Sequence, residues 1–248
     1  DMVELMRDLG YAQFMLAGHD RGGRVSHRLT LDHPDAVLRV AVLDISPTAP
    51  HVRQDRSGIR DRVLPLVLPD PAVRSARAVD RRRSHLLSAS QAGQLGTGTT
   101  HFDPRAMAEY ERCFRDPAAI HAMCEDYRAA ASIDLEHDAA DADKRIACPL
   151  LVLWGEKGVV HRLFDPLADW RGAANDVRGK ALPCGHYLAE EVPEETLRGV
   201  LRVLPSLIGR AALRRHAATT TVPLVCAIQG SVRIPASAAP ASAYAGPV

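Results

Sequence analysis

An α/β fold, with a mostly parallel sheet interrupted by a helical cap, is what this sequence predicts. Three observations carry that expectation. Short apolar runs at 12–17, 37–44, 149–154 and 177–182 read as buried strands of a parallel sheet. Helical periodicity follows the first run, so strand, helix and strand succeed one another as a right-handed βαβ unit requires. Between that run and its helix stands Gly18-His19-Asp20-Arg21-Gly22-Gly23, the outline of a nucleophile elbow with aspartate where serine is usual.

The elements follow in order. Residues 1–10 put Met2, Leu5, Met6 and Leu9 on one helical face and stop at Gly10, a residue suited to ending a helix. The run at 12–17 is a strand leading into the elbow. A helix then spans 22–33, with Val25, Leu29 and Leu31 turned toward the sheet and Pro34 ending it. Residues 37–45 (VLRVAVLDI) form the next strand. Helices are expected at 104–114 and 118–131, strands at 149–155 and 177–182, a loop carrying Gly185-His186, and a closing helix at 193–204. Residues 1–48 and 148–204 thus form the core, and 49–147 an inserted cap. Residues 205–248 read as a disordered tail. No internal repeat is present.

Composition narrows the function. A net charge of +1 leaves no basic field for nucleic acid. No apolar run approaches the roughly 20 residues of a membrane span. Cys113, Cys124, Cys148, Cys184 and Cys226 are odd in number, scattered and without metal-ligand spacing, which predicts reduced thiols and a cytoplasmic setting with no metal or cofactor. The start, Asp1-Met2-Val3-Glu4, reads as the middle of a longer protein. Aromatic residues are missing between Thr48 and His101, and Tyr244 is the only one after Pro205. Both stretches are therefore poor core material.

A carboxylate at an elbow tip points to displacement at a saturated carbon, giving an alkyl ester that water must then hydrolyse. That second step needs a base, most naturally a histidine oriented by an acid. Asp44, ending the strand after the elbow helix, and His186, in the loop after a later strand, stand where doubly wound sheets place their sites. Each has a plainer alternative: a helix-terminal acid for Asp20, a turn former for Asp44, a loop histidine for His186. His19, His33, His137 and His161 read as ordinary histidines. Arg21 and Arg24, three residues apart beside Asp20, could grip a small carboxylate substrate with guanidinium forks. The alternative pairs Arg24 with Asp20 or another acid.

These residues carry a resemblance. Gly18-His19-Asp20-Arg21-Gly22-Gly23-Arg24-Val25, Leu31-Asp32-His33-Pro34 and Leu43-Asp44-Ile45 closely resemble fluoroacetate dehalogenases of the α/β-hydrolase superfamily. The likeness resumes at Phe102-Asp103-Pro104, Arg115-Asp116-Pro117-Ala118-Ala119-Ile120-His121, Asp126-Tyr127-Arg128-Ala129, Trp154-Gly155 and Gly185-His186. It implies Asp20 as nucleophile, Arg21 and Arg24 as binders of the substrate carboxylate, Asp44 and His186 as activators of water, and Tyr127 as a halide ligand. It also implies a small haloacid substrate, no cofactor and a homodimer. The family's cap adds a His-Trp pair, whereas 49–100 contains no Trp, and the stretch given lacks the strands and His-Gly loop that precede the elbow. Little or no defluorination by this chain is the expectation. An epoxide hydrolase also uses an elbow aspartate, but Arg21 stands where a Trp commonly follows the nucleophile. The non-enzymatic alternative is an inactive remnant.

Overall fold

The computed structural model describes residues 2–48, 100–130, 132–203, 224–228 and 231–233. The run FMLAGH becomes β1 (Phe14–His19) and VLRVAVL becomes β2 (Val37–Leu43), paired in parallel with Leu16 opposite Val40. The strand β3 (Leu150–Gly155) pairs with β2, and β4 (Val177–Leu182) with β3, both in parallel. Every residue of β3 is buried, whereas β4 alternates at the sheet edge. The expected strands fall within two residues of these positions.

The tail departs from expectation at two short stretches. Within the stretch read as a disordered tail, β5 (Leu224–Ile228) adds to the other side of β1 in parallel, and β6 (Ser231–Arg233) pairs with it antiparallel. The six-stranded order is β4-β3-β2-β1-β5-β6. The physical reason is local. Leu224-Val225-Cys226-Ala227-Ile228 is an unbroken apolar run rich in β-formers, and β1 otherwise offers an unpaired row of backbone groups.

Helices cover the sheet. α1 (Met2–Asp8) buries Met6, and Gly10 follows with φ +87°, a conformation glycine takes without strain. α2 (Arg21–Asp32) runs from the elbow to β2. Of the residues expected to turn inward, Leu29 is buried and Leu31 packs against the core, but Val25 does not turn in. Val25 is 46% exposed, while Ser26, Leu29 and Thr30 are buried. Ser26 and Thr30 tolerate this because their hydroxyls donate to the Gly22 and Ser26 carbonyls, each at 2.7 Å. The glycines set that approach, since a Cβ on Gly23 would meet Ile45 Cγ2 at 2.6 Å.

In the cap region, α3 (Pro104–Phe114), α4 (Pro117–Ala130) and α5 (Ile133–Ala140) precede the return to the sheet. Asp103 caps α3 by accepting from the Arg105 amide. Of the segment 49–100, expected to be the aberrant part of the cap, residues 49–99 lie outside the described residues. After β3 come α6 (Val159–Leu163) and α7 (Pro166–Ala173). After β4 come α8 (Leu188–Glu191) and α9 (Pro193–Val203). The core gathers Met6, Phe14, Leu16, Val40, Val42, Val152 and Trp170 into one cluster, and Trp170 donates its indole N–H to the Ile45 carbonyl at 2.8 Å. Among the described residues no helix is long and apolar enough to cross a membrane.

Candidate active site

The elbow forms because β1 turns directly into α2. Asp20, at the turn, has φ +50° and ψ −121°, a strained backbone that a well-determined surrounding must hold. Its amide donates to the Leu43 carbonyl at 3.0 Å, and its carbonyl accepts from the Gly23 amide at 2.9 Å. Gly18 has no room for a side chain, because an added Cβ would run into the Gly22 carbonyl.

Asp44 leaves β2 with φ +47° and is 1% exposed. Asp is among the few residues that tolerate this region. One carboxylate oxygen accepts from the Gly155 amide at 3.0 Å, and the other lies 2.7 Å from His186 Nδ1. The second ring nitrogen of His186 faces the nucleophile position, with Nε2 3.7 Å from Asp20 Oδ2. Asp20, Asp44 and His186, spread over 166 positions of sequence, therefore converge at the carboxyl ends of the strands.

Charge explains the state of the free site. Burial works against a charged His186, but the Asp20 and Asp44 carboxylates outweigh it and push its pKa up to about 10. Burial would raise Asp20, yet the charged His186 facing it, with the Arg24 charge adding to the effect, holds the carboxyl well below the usual range. The resting arrangement is an imidazolium between two carboxylates.

The arginines part company. Arg21, with its side chain 11% exposed, donates through Nε and an Nη to the two carboxylate oxygens of Asp126 at 2.6 and 2.9 Å. It also donates to the Asp126 carbonyl at 3.0 Å, and Asp134 lies 3.5 Å away. Arg21 is thus paired with acids and ties the elbow to α4 and α5. Arg24, one helical turn on, contributes its charge to the Asp20 environment. Tyr127 follows Asp126 on α4, and its side chain lies outside the described residues.

Sequence reasoning passed over three participants. His19 is no ordinary histidine. It is 6% exposed, its ring centroid lies 4.6 Å from that of His186, and its Nε2 donates to the His186 carbonyl at 2.8 Å. Burial and the neighbouring His186 bring its pKa down to about 4, so it stays neutral. Asp126 was visible only as part of a motif. Glu191 gave no signal beyond its distance of five residues from His186. Among the described residues no cluster of metal-ligating side chains occurs.

An elbow, a buried carboxylate–imidazole pair and a sheet of this order define a hydrolase built on the α/β architecture. The alpha/beta hydrolase fold family matches residues 1–193, and the chain belongs to that family. Among its relatives is a fluoroacetate dehalogenase from Burkholderia sp, 41% identical over 199 residues, which cover 80% of this chain and 66% of that protein. The chain thus spans just under two thirds of that relative's length. A soluble epoxide hydrolase from Corynebacterium sp. (strain C12) is 27% identical over 84% of this chain and 72% of that protein. Among solved structures, ALR0039 from Nostoc sp PCC 7120, a provisionally assigned alpha/beta hydrolase, superimposes with TM-score 0.74 at 47% identity. That match covers 83% of this chain and 71% of the other.

Proposed function

We propose that the chain carries the catalytic residues of a hydrolytic haloacetate dehalogenase. The observation that carries this reading is an elbow aspartate whose carboxylate faces the imidazole of an Asp-oriented histidine at 3.7 Å. The 41% identity to a fluoroacetate dehalogenase supports the substrate class.

In the first step an Asp20 carboxylate oxygen attacks the α-carbon of the haloacetate. The new C–O bond forms as the carbon–halogen bond breaks, and halide leaves with the bonding pair. The substrate carboxylate is held by Arg24 and by the Asp126-oriented Arg21, and Tyr127 would receive the halide.

Esterification changes the charges around His186. Asp20 becomes neutral, so one of the two carboxylates supporting the imidazolium is gone while burial remains. The His186 pKa falls and its Nε2 proton passes to solvent. The neutral ring, held by Asp44 through Nδ1–H, then takes a proton from water as the oxygen attacks the Asp20 carbonyl carbon. The tetrahedral intermediate collapses, the 2-hydroxy acid leaves with the proton from His186, and the proton left on the Asp20 carboxyl passes to His186, restoring both the carboxylate and the imidazolium. The net reaction is haloacetate plus water to glycolate, halide and a proton. The base is thus switched on by the first step.

A second reading, epoxide ring opening, would use the same Asp20 and is favoured by the likeness to a soluble epoxide hydrolase. The test of both is halide release from bromoacetate and fluoroacetate set beside diol formation from styrene oxide, for the native chain and Asp20→Asn. Halide release lost in Asp20→Asn supports the proposal. Diol formation without halide release overturns it, and neither activity favours an inactive remnant. The scattered cysteines support a cytoplasmic setting.

A further inference from the structure

His186 sits in a short loop between β4 and α8, so something must hold its ring on Asp20. The Gly185 amide donates to Glu191 Oε2 at 2.7 Å, and the Tyr187 amide donates to Glu191 Oε1 at 3.1 Å. One carboxylate therefore straps the two peptide N–H groups that bracket His186. The carbonyl of His186 itself accepts from His19 Nε2 at 2.8 Å and from the Leu188 amide at 3.2 Å. Glu191 in turn is fixed by its own amide, which donates to the Tyr187 carbonyl at 2.8 Å. Gly185, His186, Tyr187 and Leu188 are all buried.

We propose that Glu191 is a positioning residue for the catalytic cycle, acting through the His186 loop. It touches no reacting atom. Its carboxylate supplies one acceptor to each flanking amide, and bonds from N–H to a charged oxygen are roughly twice as strong as neutral ones. Rotation of either peptide would swing the His186 ring, and misplacement by about 1 Å can cost on the order of 10²-fold in rate. The inference rests on the reading of His186 as the base for ester hydrolysis. It predicts that loss of Glu191 damages the second chemical step while sparing the first, because His186 acts only after Asp20 is esterified.

Quench-flow on bromoacetate, with mass detection of the Asp20 ester, separates the steps. In Glu191→Ala, alkylation should proceed near the native rate while ester hydrolysis slows about 10²-fold. Glu191→Gln keeps one acceptor oxygen and should slow hydrolysis about 10-fold, by the same scaling. A merely structural role would lower the active fraction and scale both steps together, leaving their ratio unchanged. An unchanged ratio in both variants overturns the proposal. If Glu191→Ala does not fold, the ratio in Glu191→Gln decides alone. His186→Asn is the control. If it accumulates no ester, the functional reading itself fails; if it does while the Glu191 variants hydrolyse normally, only the positioning role fails.

Discussion

Replacing Asp44 with asparagine isolates the orientation of the base from its surroundings. The substitution is nearly isosteric, and asparagine also tolerates the φ of +47° found there. The Gly155 amide donates to one Asp44 oxygen at 3.0 Å, so the asparagine carbonyl must take that place. Its NH₂ group then faces His186 Nδ1, 2.7 Å from the other oxygen. A donor there forces Nδ1 to accept, which moves the ring proton to Nε2, the atom that must take a proton from water. The wrong tautomer is locked in. An equivalent change in a serine protease triad lowers kcat about 10⁴-fold with geometry intact, and a loss of that order is expected here in ester hydrolysis. The first step needs only the Asp20 carboxylate and should survive. Bromoacetate should therefore give a burst of one halide per site, followed by a steady state about 10⁴-fold slower. A variant that turns over within 10-fold of native, or slows in the burst itself, would refute the assignment of Asp44.

Further outcomes follow from the same geometry. Asp126→Asn removes the charge that Arg21 meets through both oxygens. Asp126 is 37% exposed and Asp134 remains nearby, so the loss should be modest, about 1–2 kcal/mol by denaturant titration, with KM for haloacetate raised more than kcat is lowered. Gly155→Ala drives a methyl group into the Gly185 carbonyl beside His186, which should cost about 3 kcal/mol and lower Tm by roughly 6–12 °C in a scanning melt. The His186 pKa is raised from 6.5 to about 10, so its stabilisation is full below pH 6.5 and lost as pH rises through about 10. Urea midpoints should fall across that window in the native chain and stay flatter in His186→Asn.

Much of this was legible because strands and elbow are local patterns. The runs at β1 to β4 are apolar enough to declare buried strands, and the order of Asp20, Asp44 and His186 suits one chain topology. Only the place of Val25 on α2 was misread, because Ser26 and Thr30 satisfy their hydroxyls on the helix backbone and can stand inside in place of an apolar residue. Strand β5 was missed because its five apolar residues lie within a polar, aromatic-poor stretch. The tie between Arg21 and Asp126 spans 105 positions, and no local pattern marks it. Glu191 stayed invisible for another reason, since its partners are backbone amides, which every sequence has.

The central claim, that Asp20 becomes covalently bound, is tested most directly by a single turnover in heavy-oxygen water with enzyme in excess over bromoacetate. If Asp20 attacks the α-carbon, the glycolate hydroxyl of that first turnover carries ordinary oxygen from the Asp20 side chain. The heavy label then appears in the peptide containing Asp20. Heavy oxygen in the glycolate hydroxyl from the first turnover, with an unlabelled Asp20 peptide, would mean that water attacks the substrate directly, and the account would fall.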